Sequence, residues 1–253
     1  MADLGREGMA TTTGRTLAPR DAVAPTRSAP RSKGYRGIAM EGFIARWYAR
    51  TRGTESQLAG CRREAAEWVE GLPRGARVLE VAPGPGYLAV EMARLGKVDV
   101  VALDISRTFV EMVAANARRA GVSLDVRQGD ASELPFPDRS FDLVVCQAAF
   151  KNFSRPQAAV DEMYRVLRDG GEARIQDMDR EASDVAIRSE VRSMGLGRSR
   201  AFLTARALRS LRRRAYTADQ FRDFARASPF GNGRVEAQGI GLEVRLTKRP
   251  PPA

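Results

Sequence analysis

A regular alternation of short apolar runs with helical segments occupies the middle of the chain, between about residues 77 and 176. The apolar runs have the length of strands, and most are followed by a longer segment of helical periodicity that ends at glycine. Strands that are apolar throughout indicate a parallel sheet covered by helices on both faces. Sheets of this kind bind ligands at the carboxyl ends of their strands, so a site is expected there. The predicted strands are residues 77–82, 98–103, 123–127, 141–147 and 172–176.

The segments on either side of this alternation differ in character. Residues 1–34 are rich in Thr, Pro, Ala and Arg without periodicity, which predicts a disordered basic tail. Residues 35–253 are expected to form one domain, which begins with helices within residues 35–72. The apolar stripe of the first helix consists of Ile38, Phe43, Ile44, Trp47 and Tyr48. The other predicted elements are helices at residues 35–52, 55–71, 157–167 and 218–226, a basic helical insertion at residues 180–216, and closing strands at residues 233–238 and 241–248.

The absence of histidine excludes more function classes than any other feature of the composition. Ser-His-Asp and Cys-His catalysis are ruled out, and so are the usual zinc and non-haem iron sites, so we expect no metal centre. Any reaction must use carboxylate, Lys, Tyr, Asn or Gln side chains, or a cofactor that brings its own reactivity.

The cysteine content and the hydropathy pattern indicate a compartment. Cys61 and Cys146 are too few for a disulfide framework, and Cys146 lies in an apolar run, where cysteine is usually a small buried side chain. The sequence has no run of 18 or more apolar residues, and charges and prolines interrupt residues 1–36, where a secretory signal would be apolar. We therefore expect a cytoplasmic protein without a transmembrane segment.

The formal net charge of +11 comes almost wholly from arginine. A basic surface exposed to water is the simplest interpretation, because net charge alone does not make a recognition patch. An acidic partner, either a nucleic acid or an anionic small molecule, is the alternative.

The first predicted strand leads into a glycine turn with the sequence Glu-Val-Ala-Pro-Gly-Pro-Gly, residues 80–86. Gly84 and Gly86 let a ligand approach the backbone, and the helix that follows offers its N-terminal amides. The turn also satisfies the loose dinucleotide pattern G-x-G-x-x-[GA], so a nicotinamide-dependent oxidoreductase is a second interpretation. A tight turn without any ligand is a third.

The charges and donors of this turn argue against a pyrophosphate. Pro83 and Pro85 each lack the N–H group that a pyrophosphate would need. The Glu80 carboxylate would repel a phosphate and attract an ammonium group. Since S-adenosylmethionine carries an ammonium and a sulfonium, the turn favours that cofactor.

Two further acidic residues follow the next two strands. Asp104 comes 24 residues after Glu80 and could accept hydrogen bonds from both ribose hydroxyls, although a helix cap is the alternative. Asp130 could accept a hydrogen bond from an adenine amino group while the Ala131 amide donates to the ring, and an Asx turn is the alternative. We expect Glu80, Asp104 and Asp130 to converge on one cleft, beside the glycine turn.

Five motifs occur in order along the chain: Val78-Leu-Glu-Val-Ala-Pro-Gly-Pro-Gly86, Leu103-Asp104, Gly129-Asp-Ala131, Phe141-Asp-Leu-Val-Val145 and Asp161-Glu-Met-Tyr-Arg-Val-Leu-Arg-Asp-Gly-Gly171. Together they resemble the successive motifs of class I S-adenosylmethionine-dependent methyltransferases. Within that superfamily the chain is similar to the ubiquinone/menaquinone-biosynthesis-like, or type 11, group, over roughly residues 35–248. Each motif alone is weak, and the ordered set is specific.

The resemblance implies an α/β fold with a doubly wound, mostly parallel, Rossmann-like sheet of seven strands, an antiparallel last strand and a helical cap. It implies S-adenosylmethionine-dependent methyl transfer to a small organic acceptor by in-line displacement. In such a reaction the main task of the protein is to align the methyl donor with the acceptor. The resemblance also implies contacts to the methionine, ribose and adenine parts of the cofactor. The implied cofactor-binding residues are Glu80, Ala82, Gly84, Gly86, Asp104, Ile105, Asp130, Ala131 and Gln147.

The chain departs from the family pattern at two places. Ala82 stands where the family usually has its first glycine, which affects the shape of the pocket. Residues 148–153 lack the histidines that many relatives carry there, which puts a histidine-assisted acceptor in doubt. The polar candidates for acceptor binding are Tyr48, Lys151, Asn152 and Asp177, although a loop exposed to solvent also explains a Lys-Asn pair. No catalytic base is identified.

The insertion at residues 180–216 is expected to lie over the pocket, as acceptor-binding segments do in this superfamily. Its arginines, with an apolar side formed by phenylalanine and leucine, predict an amphipathic helix. A helix with its arginines in water is one interpretation; an anionic small acceptor, RNA phosphates and a membrane surface are the functional ones. Few aromatic residues interleave the arginines, which argues against RNA binding because base stacking needs aromatic side chains. An RNA methyltransferase that uses the same cofactor is the alternative function.

Overall fold

The computed structural model of this chain describes residues 35–36 and 40–250. The predicted tail, residues 1–34, and Ile38 of the predicted apolar stripe lie outside the described residues. The boundary of the predicted domain at residue 35 therefore stays a prediction.

The centre of the described part is one seven-stranded sheet. Its strands are β1 (Ala76–Val81), β2 (Val98–Asp104), β3 (Asp125–Gln128), β4 (Phe141–Gln147), β5 (Leu167–Met178), β6 (Arg234–Gln238) and β7 (Gly241–Thr247). They lie in the order β3-β2-β1-β4-β5-β7-β6. Neighbouring strands from β3 to β5 pair in parallel, whereas β7 is antiparallel to both β5 and β6. The predicted mostly parallel sheet with an antiparallel last strand is confirmed.

Eight α-helices accompany this sheet among residues 40–250. They are α1 (Gly42–Arg52), α2 (Glu55–Glu70), α3 (Tyr87–Arg94), α4 (Arg107–Ala120), α5 (Pro156–Val166), α6 (Asp184–Ser193), α7 (Arg198–Arg212) and α8 (Ala218–Ala227). Local capping signals set the bounds of α4. The Ser106 hydroxyl accepts a hydrogen bond from the Phe109 amide at its start, and Gly121 ends it in the left-handed conformation.

The alternation of side chains along the strands divides the core into two layers. Leu79 and Val81 of β1 belong to the layer that α5 and α8 cover. Val78 belongs to the opposite layer, which α2, α3 and α4 cover. Because side chains alternate along a strand, Glu80 shares the face of Val78 and is carried beneath α2 and α3.

The predicted helix over residues 35–52 is wrong in its first part, because α1 begins only at Gly42. The residues before it bind to the start of α4 instead. The Met40 carbonyl accepts a hydrogen bond from the Ser106 hydroxyl (2.6 Å), and the Glu41 carboxylate accepts from the Arg107 and Thr108 amides (2.9 and 3.1 Å). Tyr35 forms an isolated antiparallel bridge with Phe153. These long-range partners compete successfully with a local helix.

The predicted fifth strand, residues 172–176, is too short, because β5 starts directly after α5 at Leu167. Gly170 and Gly171 were expected to end a helix, and they lie inside the strand, where the register with β4 shifts. Gly170 has a φ of 82°, and a Cβ on Gly171 would come 3.0 Å from the Asp142 carbonyl oxygen. Glycine serves here as a strand irregularity, a use that shares its sequence signal with a helix end.

The predicted helical insertion at residues 180–216 is present as two helices, α6 and α7, joined by a turn that contains Gly195 and Gly197. Ile187 of α6 is buried against Met178 at the carboxyl end of β5, and Leu208 and Leu211 of α7 pack on the same cluster. The insertion is thus attached to the carboxyl end of the sheet. Its predicted position over a pocket stays a prediction.

Candidate functional site

The turn after β1 holds three residues in the left-handed region: Ala82 (φ 55°), Gly84 (φ 56°) and Gly86 (φ 77°). Ala82 adopts this conformation despite its Cβ, which costs about 1–2 kcal/mol. A Cβ on Gly86 would lie 2.7 Å from a methyl carbon of Val113, so this glycine lets α4 approach closely. A Cβ on Gly84 would meet only Tyr48, at 3.9 Å. The turn therefore combines one packed glycine with one that leaves room for a ligand.

The Asp104 carboxylate joins the end of β2 to this turn. It accepts hydrogen bonds from the Gly84 amide (3.1 Å) and the Ser106 amide (2.8 Å), and only 5% of the residue is exposed. Burial raises the Asp104 pKa to about 7, and the nearby Glu41 adds to this effect, while the two amides oppose it. Ile105 directly follows β2, and its carbonyl accepts a hydrogen bond from the Gln128 side chain (3.1 Å). The predicted neighbours Gly84 and Asp104 are in direct contact.

Glu80 is buried, with one carboxyl oxygen, Oε2, that has no hydrogen-bond partner among the described residues. Burial raises the Glu80 pKa to about 8; the Ala89 amide lowers it, whereas the charges of Asp104 and Glu64 raise it further. An unsatisfied buried oxygen normally costs about 1–3 kcal/mol, so a buried oxygen of this kind usually has a partner, such as a ligand or an ordered water. A cation or a hydrogen-bond donor would supply that partner.

Asp130 follows β3 and is linked to Asp104 through the backbone, because the Gly129 amide donates to the Asp104 carbonyl (3.0 Å). Its Oδ1 accepts from the Ser132 amide (2.9 Å) and hydroxyl (2.6 Å), and its Oδ2 lies 3.4 Å from the Arg155 guanidinium. Burial raises the Asp130 pKa, but the hydrogen bonds from Ser132 and Arg155 outweigh burial and lower it. The side chain forms the Asx turn that was the alternative interpretation, and Ala131 beside it is buried. Because Oδ1 already accepts two hydrogen bonds, an adenine amino group that binds the Asp130 carboxylate would have to donate to Oδ2.

Gln147 ends β4 and is held by two residues that the sequence analysis did not single out. Its Nε2 donates to Glu64 Oε2 (2.6 Å) and to Gln176 Oε1 (3.0 Å). Burial raises the Glu64 pKa, and the Gln147 amide opposes the effect. Glu64 stands in α2 next to Ala65 and four residues before Trp68, both buried. A carboxylate on the apolar side of a predicted helix was the signal that could have identified it.

Of the four predicted acceptor-binding residues, Lys151 and Asp177 bind each other. The Lys151 ammonium lies 2.7 Å from Asp177 Oδ1 and also donates to the Ala148 carbonyl, and both side chains are almost fully buried. Lys151 is therefore not in a solvent-exposed loop, which corrects the interpretation of the Lys-Asn pair as an exposed surface feature. Asn152 Oδ1 is buried without a partner among the described residues. Tyr48 borders the open space over Gly84.

Two further residues near Asp104 escaped the sequence analysis. Burial raises the Tyr35 pKa; among nearby groups Arg214 lowers it, whereas Tyr48 and Asp104 raise it. Tyr35 thus lies within electrostatic range of the end of the insertion and of the two predicted site residues. Burial raises the pKa of Glu41, but its hydrogen bonds to Thr108 outweigh burial and lower it. Both residues precede α1, in the segment that was predicted to be helical.

No helix in the described part of the chain is long and apolar enough to cross a membrane. Residues 35–36 and 40–250 also contain no group of three or more Cys, Asp or Glu side chains placed to hold a metal ion. Cys61 and Cys146 are both free thiols, and Cys146 is buried as a small apolar side chain, as expected.

A shallow depression of about 550 Å³ lies at the other end of the sheet, where β1, β2 and β3 begin. Turn residues surround it, among them Gly75, Gly96 and Gly121. Parallel sheets bind ligands at the opposite, carboxyl edge, where the unsatisfied Glu80 and the left-handed turn are found. We therefore assign the candidate site to the carboxyl edge.

The strands whose carboxyl ends form the candidate site lie in a segment that matches a known family. A family described as a methyltransferase domain matches residues 79–175, from β1 to β5. The demethylmenaquinone methyltransferase of Deinococcus radiodurans is 39% identical over 111 residues, which are 44% of this chain and 45% of that protein. The ubiquinone/menaquinone biosynthesis C-methyltransferase UbiE of Xanthomonas campestris is 38% identical over 114 residues, with the same coverage. The chain thus aligns with less than half the length of these relatives.

Solved structures resemble the fold over a longer stretch. A Methanococcus maripaludis protein, provisionally described as an S-adenosyl-L-methionine-dependent methyltransferase, has a TM-score of 0.66 at 18% identity, covering 86% of this chain and 97% of that one. A SAM-dependent methyltransferase from Aquifex aeolicus has a TM-score of 0.59 at 18% identity, covering 81% of this chain and 100% of that one. At this identity the likeness shows the fold, and the predicted Rossmann-like methyltransferase fold is confirmed.

Proposed function

We propose that this chain, which matches a methyltransferase domain family over residues 79–175, binds S-adenosylmethionine and transfers its methyl group to a small organic acceptor. The observation that carries the proposal is the buried, unsatisfied Glu80 carboxyl beside Asp104 and the open Gly84 turn. A zwitterionic ligand with an ammonium, a sulfonium and a ribose matches this donor and acceptor set.

The residues of the carboxyl edge suit separate parts of the cofactor. Asp104 is already oriented by two backbone amides, and a carboxylate has about four acceptor sites, so it can accept ribose hydroxyls without losing these bonds. Glu80, with its free Oε2, suits the cationic methionine part. Gln147 is held by Glu64 and Gln176 at the end of β4, next in the sheet to β1.

The cofactor supplies a methyl group on a sulfonium, which reacts by in-line displacement when an acceptor atom is aligned with it. Alignment of two reactants can contribute about 7–11 kcal/mol, so the protein needs no strong base for many acceptors. Tyr48 borders the Gly84 turn, and its ring meets Phe109 edge to face at 6.1 Å, so a ligand on the turn would lie against this ring. Such a contact would exclude water from the reacting atoms and fix their direction.

A demethylated quinone is the first acceptor to test, because the relatives named above are described as quinone-biosynthesis methyltransferases. The residues that match the methyltransferase family end at residue 175, before the insertion, so the acceptor itself is inferred from those names and not from a shared acceptor site. The nicotinamide alternative is disfavoured by Pro83 and Pro85, because each lacks the N–H group that a pyrophosphate would need in this turn. The net charge and the arginines of the insertion favour an RNA acceptor, but few aromatic residues interleave these arginines for base stacking. A cytoplasmic location fits the two free thiols.

Calorimetric titration with S-adenosylhomocysteine tests the cofactor. We expect the wild-type protein to bind and Asp104→Ala to bind about tenfold to a hundredfold more weakly, since a bond to a charged group is lost. Asp99→Ala is the matched control, because Asp99 is exposed at the other end of the same strand. A wild-type titration without binding at two temperatures would overturn the proposal.

Mass spectrometry of the quinone after incubation, for a gain of one methyl group, tests the acceptor.

A further inference from the structure

The outer side of α1 is unusual for a helix that packs on a domain. Phe43 and Trp47 are four residues apart, so they lie on one side of the helix, and they are 74% and 58% exposed. Ile44 beside them is 41% exposed. Monomeric proteins rarely leave adjoining large apolar side chains in water without a function for them. We call Phe43, Ile44 and Trp47 the α1 apolar face.

All the charged side chains that α1 itself carries are positive. The sequence of α1, Gly-Phe-Ile-Ala-Arg-Trp-Tyr-Ala-Arg-Thr-Arg, has three arginines and no acidic residue. Arg46 and Arg50 are exposed and lie on the side adjoining Phe43 and Trp47. Exposed aromatic residues flanked by arginines, on a helix that is not apolar overall, are the pattern of helices that lie in the headgroup region of a membrane.

A second helix at the same end of the sheet has the same composition. α7 contains five arginines and no acidic residue, and its Phe202 and Leu203 are 66% and 63% exposed. Its inner side packs on Met178 at the carboxyl end of β5. The inner side of α1 likewise faces this end, because Tyr48 borders the Gly84 turn. The carboxyl end of the sheet thus presents arginine with exposed aromatic residues twice.

We infer that the protein docks through the outer side of α1 onto an anionic lipid bilayer, with Phe43 and Trp47 inserted among the headgroups and Arg46 and Arg50 against lipid phosphates. Charge complementarity selects this occupant: a helix with three arginines and no carboxylate of its own matches phosphatidylglycerol, and the aromatic side chains match the interface. The inference is independent of the proposed methyl transfer. Docking by α1 would bring the carboxyl edge of the sheet close to the bilayer.

The two tryptophans of the chain make the test direct, since Trp68 is buried and Trp47 is exposed. In the full-length Trp68→Phe variant, we expect the Trp47 emission to shift to shorter wavelength with vesicles of phosphatidylglycerol and phosphatidylcholine, and not with phosphatidylcholine alone. The shift should be lost at 0.5 M salt, where charges are screened within a few ångströms. Should Trp68→Phe not fold, acrylamide quenching of the wild-type protein replaces it, because the quencher reaches only the exposed ring.

Vesicle flotation of full-length variants completes the test. Trp47→Ser should reduce vesicle binding by about tenfold or more, and Arg46→Gln and Arg50→Gln by about fivefold each. Leu95→Ser and Arg74→Gln are the controls, since both residues are exposed at the opposite end of the sheet, and neither should change binding.

Three results would overturn the inference. Vesicle binding equal in Trp47→Ser and wild type would show that α1 is not the contact. Trp47 protected from acrylamide without vesicles would show that another part of the chain covers it. A dimer that Trp47→Ser dissociates would assign the face to a second copy. Cofactor titration remains a separate measurement, so either proposal can fail alone.

Discussion

The Gly84 amide donates a hydrogen bond of 3.1 Å to the Asp104 carboxylate, which ties the turn after β1 to the end of β2. The same carboxylate accepts from the Ser106 amide at the start of α4, so three elements meet at one side chain. Asp104 is therefore oriented before any ligand arrives. The charge of Asp104 also raises the pKa of Glu80, so an incoming cation meets two carboxyl groups that hold their protons unusually tightly.

The affinity for S-adenosylmethionine should rise with pH. Burial raises the pKa of Asp104 to about 7 and of Glu80 to about 8, so both are partly protonated in the empty protein near neutrality. A cationic ligand favours the ionised forms, so binding should release protons and strengthen between about pH 6 and 9. Calorimetry in buffers of different ionisation enthalpy measures the protons released. Glu80→Gln should release fewer, and a wild-type affinity that does not change over this range would refute the prediction.

The stability of the empty protein should fall as pH rises from about 4.5 to about 8. Below pH 4.5 Glu80 is protonated in both the folded and the unfolded chain, so its contribution is constant. Between the two pKa values the unfolded chain loses this proton and the folded chain keeps it, so the free energy of unfolding decreases, by up to about 1.4 kcal/mol per pH unit. Urea denaturation at several pH values should show a flatter dependence for Glu80→Gln. Glu70→Gln, an exposed site in α2, should behave as wild type.

The strand and helix pattern of the sequence predicts the sheet well because it depends on local periodicity. Glu80 and Asp104 could be placed at strand ends, and the turn glycines could be placed beside them, without knowing any long-range contact. The beginning of α1 could not be predicted in this way, because the Glu41 carboxylate binds backbone amides that are 66 and 67 residues away in sequence. The Gly170 irregularity was misread because a strand bulge and a helix end both use glycine.

In the candidate site, too, local features can be predicted from the sequence and long-range contacts cannot. Glu64 and Tyr35 come to the site from segments whose docking the periodicity does not specify. The sequence indicates both Lys151 and Asp177, yet their pairing depends on the turn after β4 packing against the end of β5 in the core. Residue type and position along a strand are local information, whereas burial and pairing are properties of the assembled fold.

Breaking the buried pair of Lys151 and Asp177 should destabilise the protein strongly. Lys151→Met leaves an unpaired carboxylate in the core and should lower the free energy of unfolding by about 3–5 kcal/mol, as should Asp177→Leu with the ammonium left behind. The double variant should recover much of this loss, because no buried charge remains. Urea unfolding of the three variants gives the coupling energy.

The exposed pair of Arg222 and Asp219 on α8 is the control for that measurement. Its removal should change the free energy of unfolding by less than about 1 kcal/mol, because solvent screens the pair. Losses that are additive in Lys151→Met and Asp177→Leu would show that the two groups do not stabilise each other, and would contradict the ion pair as the source of the effect.

The two glycines of the turn should respond differently to alanine. Gly86→Ala places a Cβ 2.7 Å from Val113 at a φ of 77°, so we expect a loss of about 2–4 kcal/mol of stability, from strain and overpacking together. Gly84→Ala meets only Tyr48, at 3.9 Å, and should cost only the strain, about 1–2 kcal/mol. Its Cβ occupies the space left for the ligand, so S-adenosylhomocysteine should bind at least about tenfold more weakly. Thermal unfolding and calorimetry separate the two effects. Equal stability losses would contradict the packing difference between the two glycines. Full cofactor affinity in Gly84→Ala would mean that the open space over Gly84 is not where the ligand approaches the backbone.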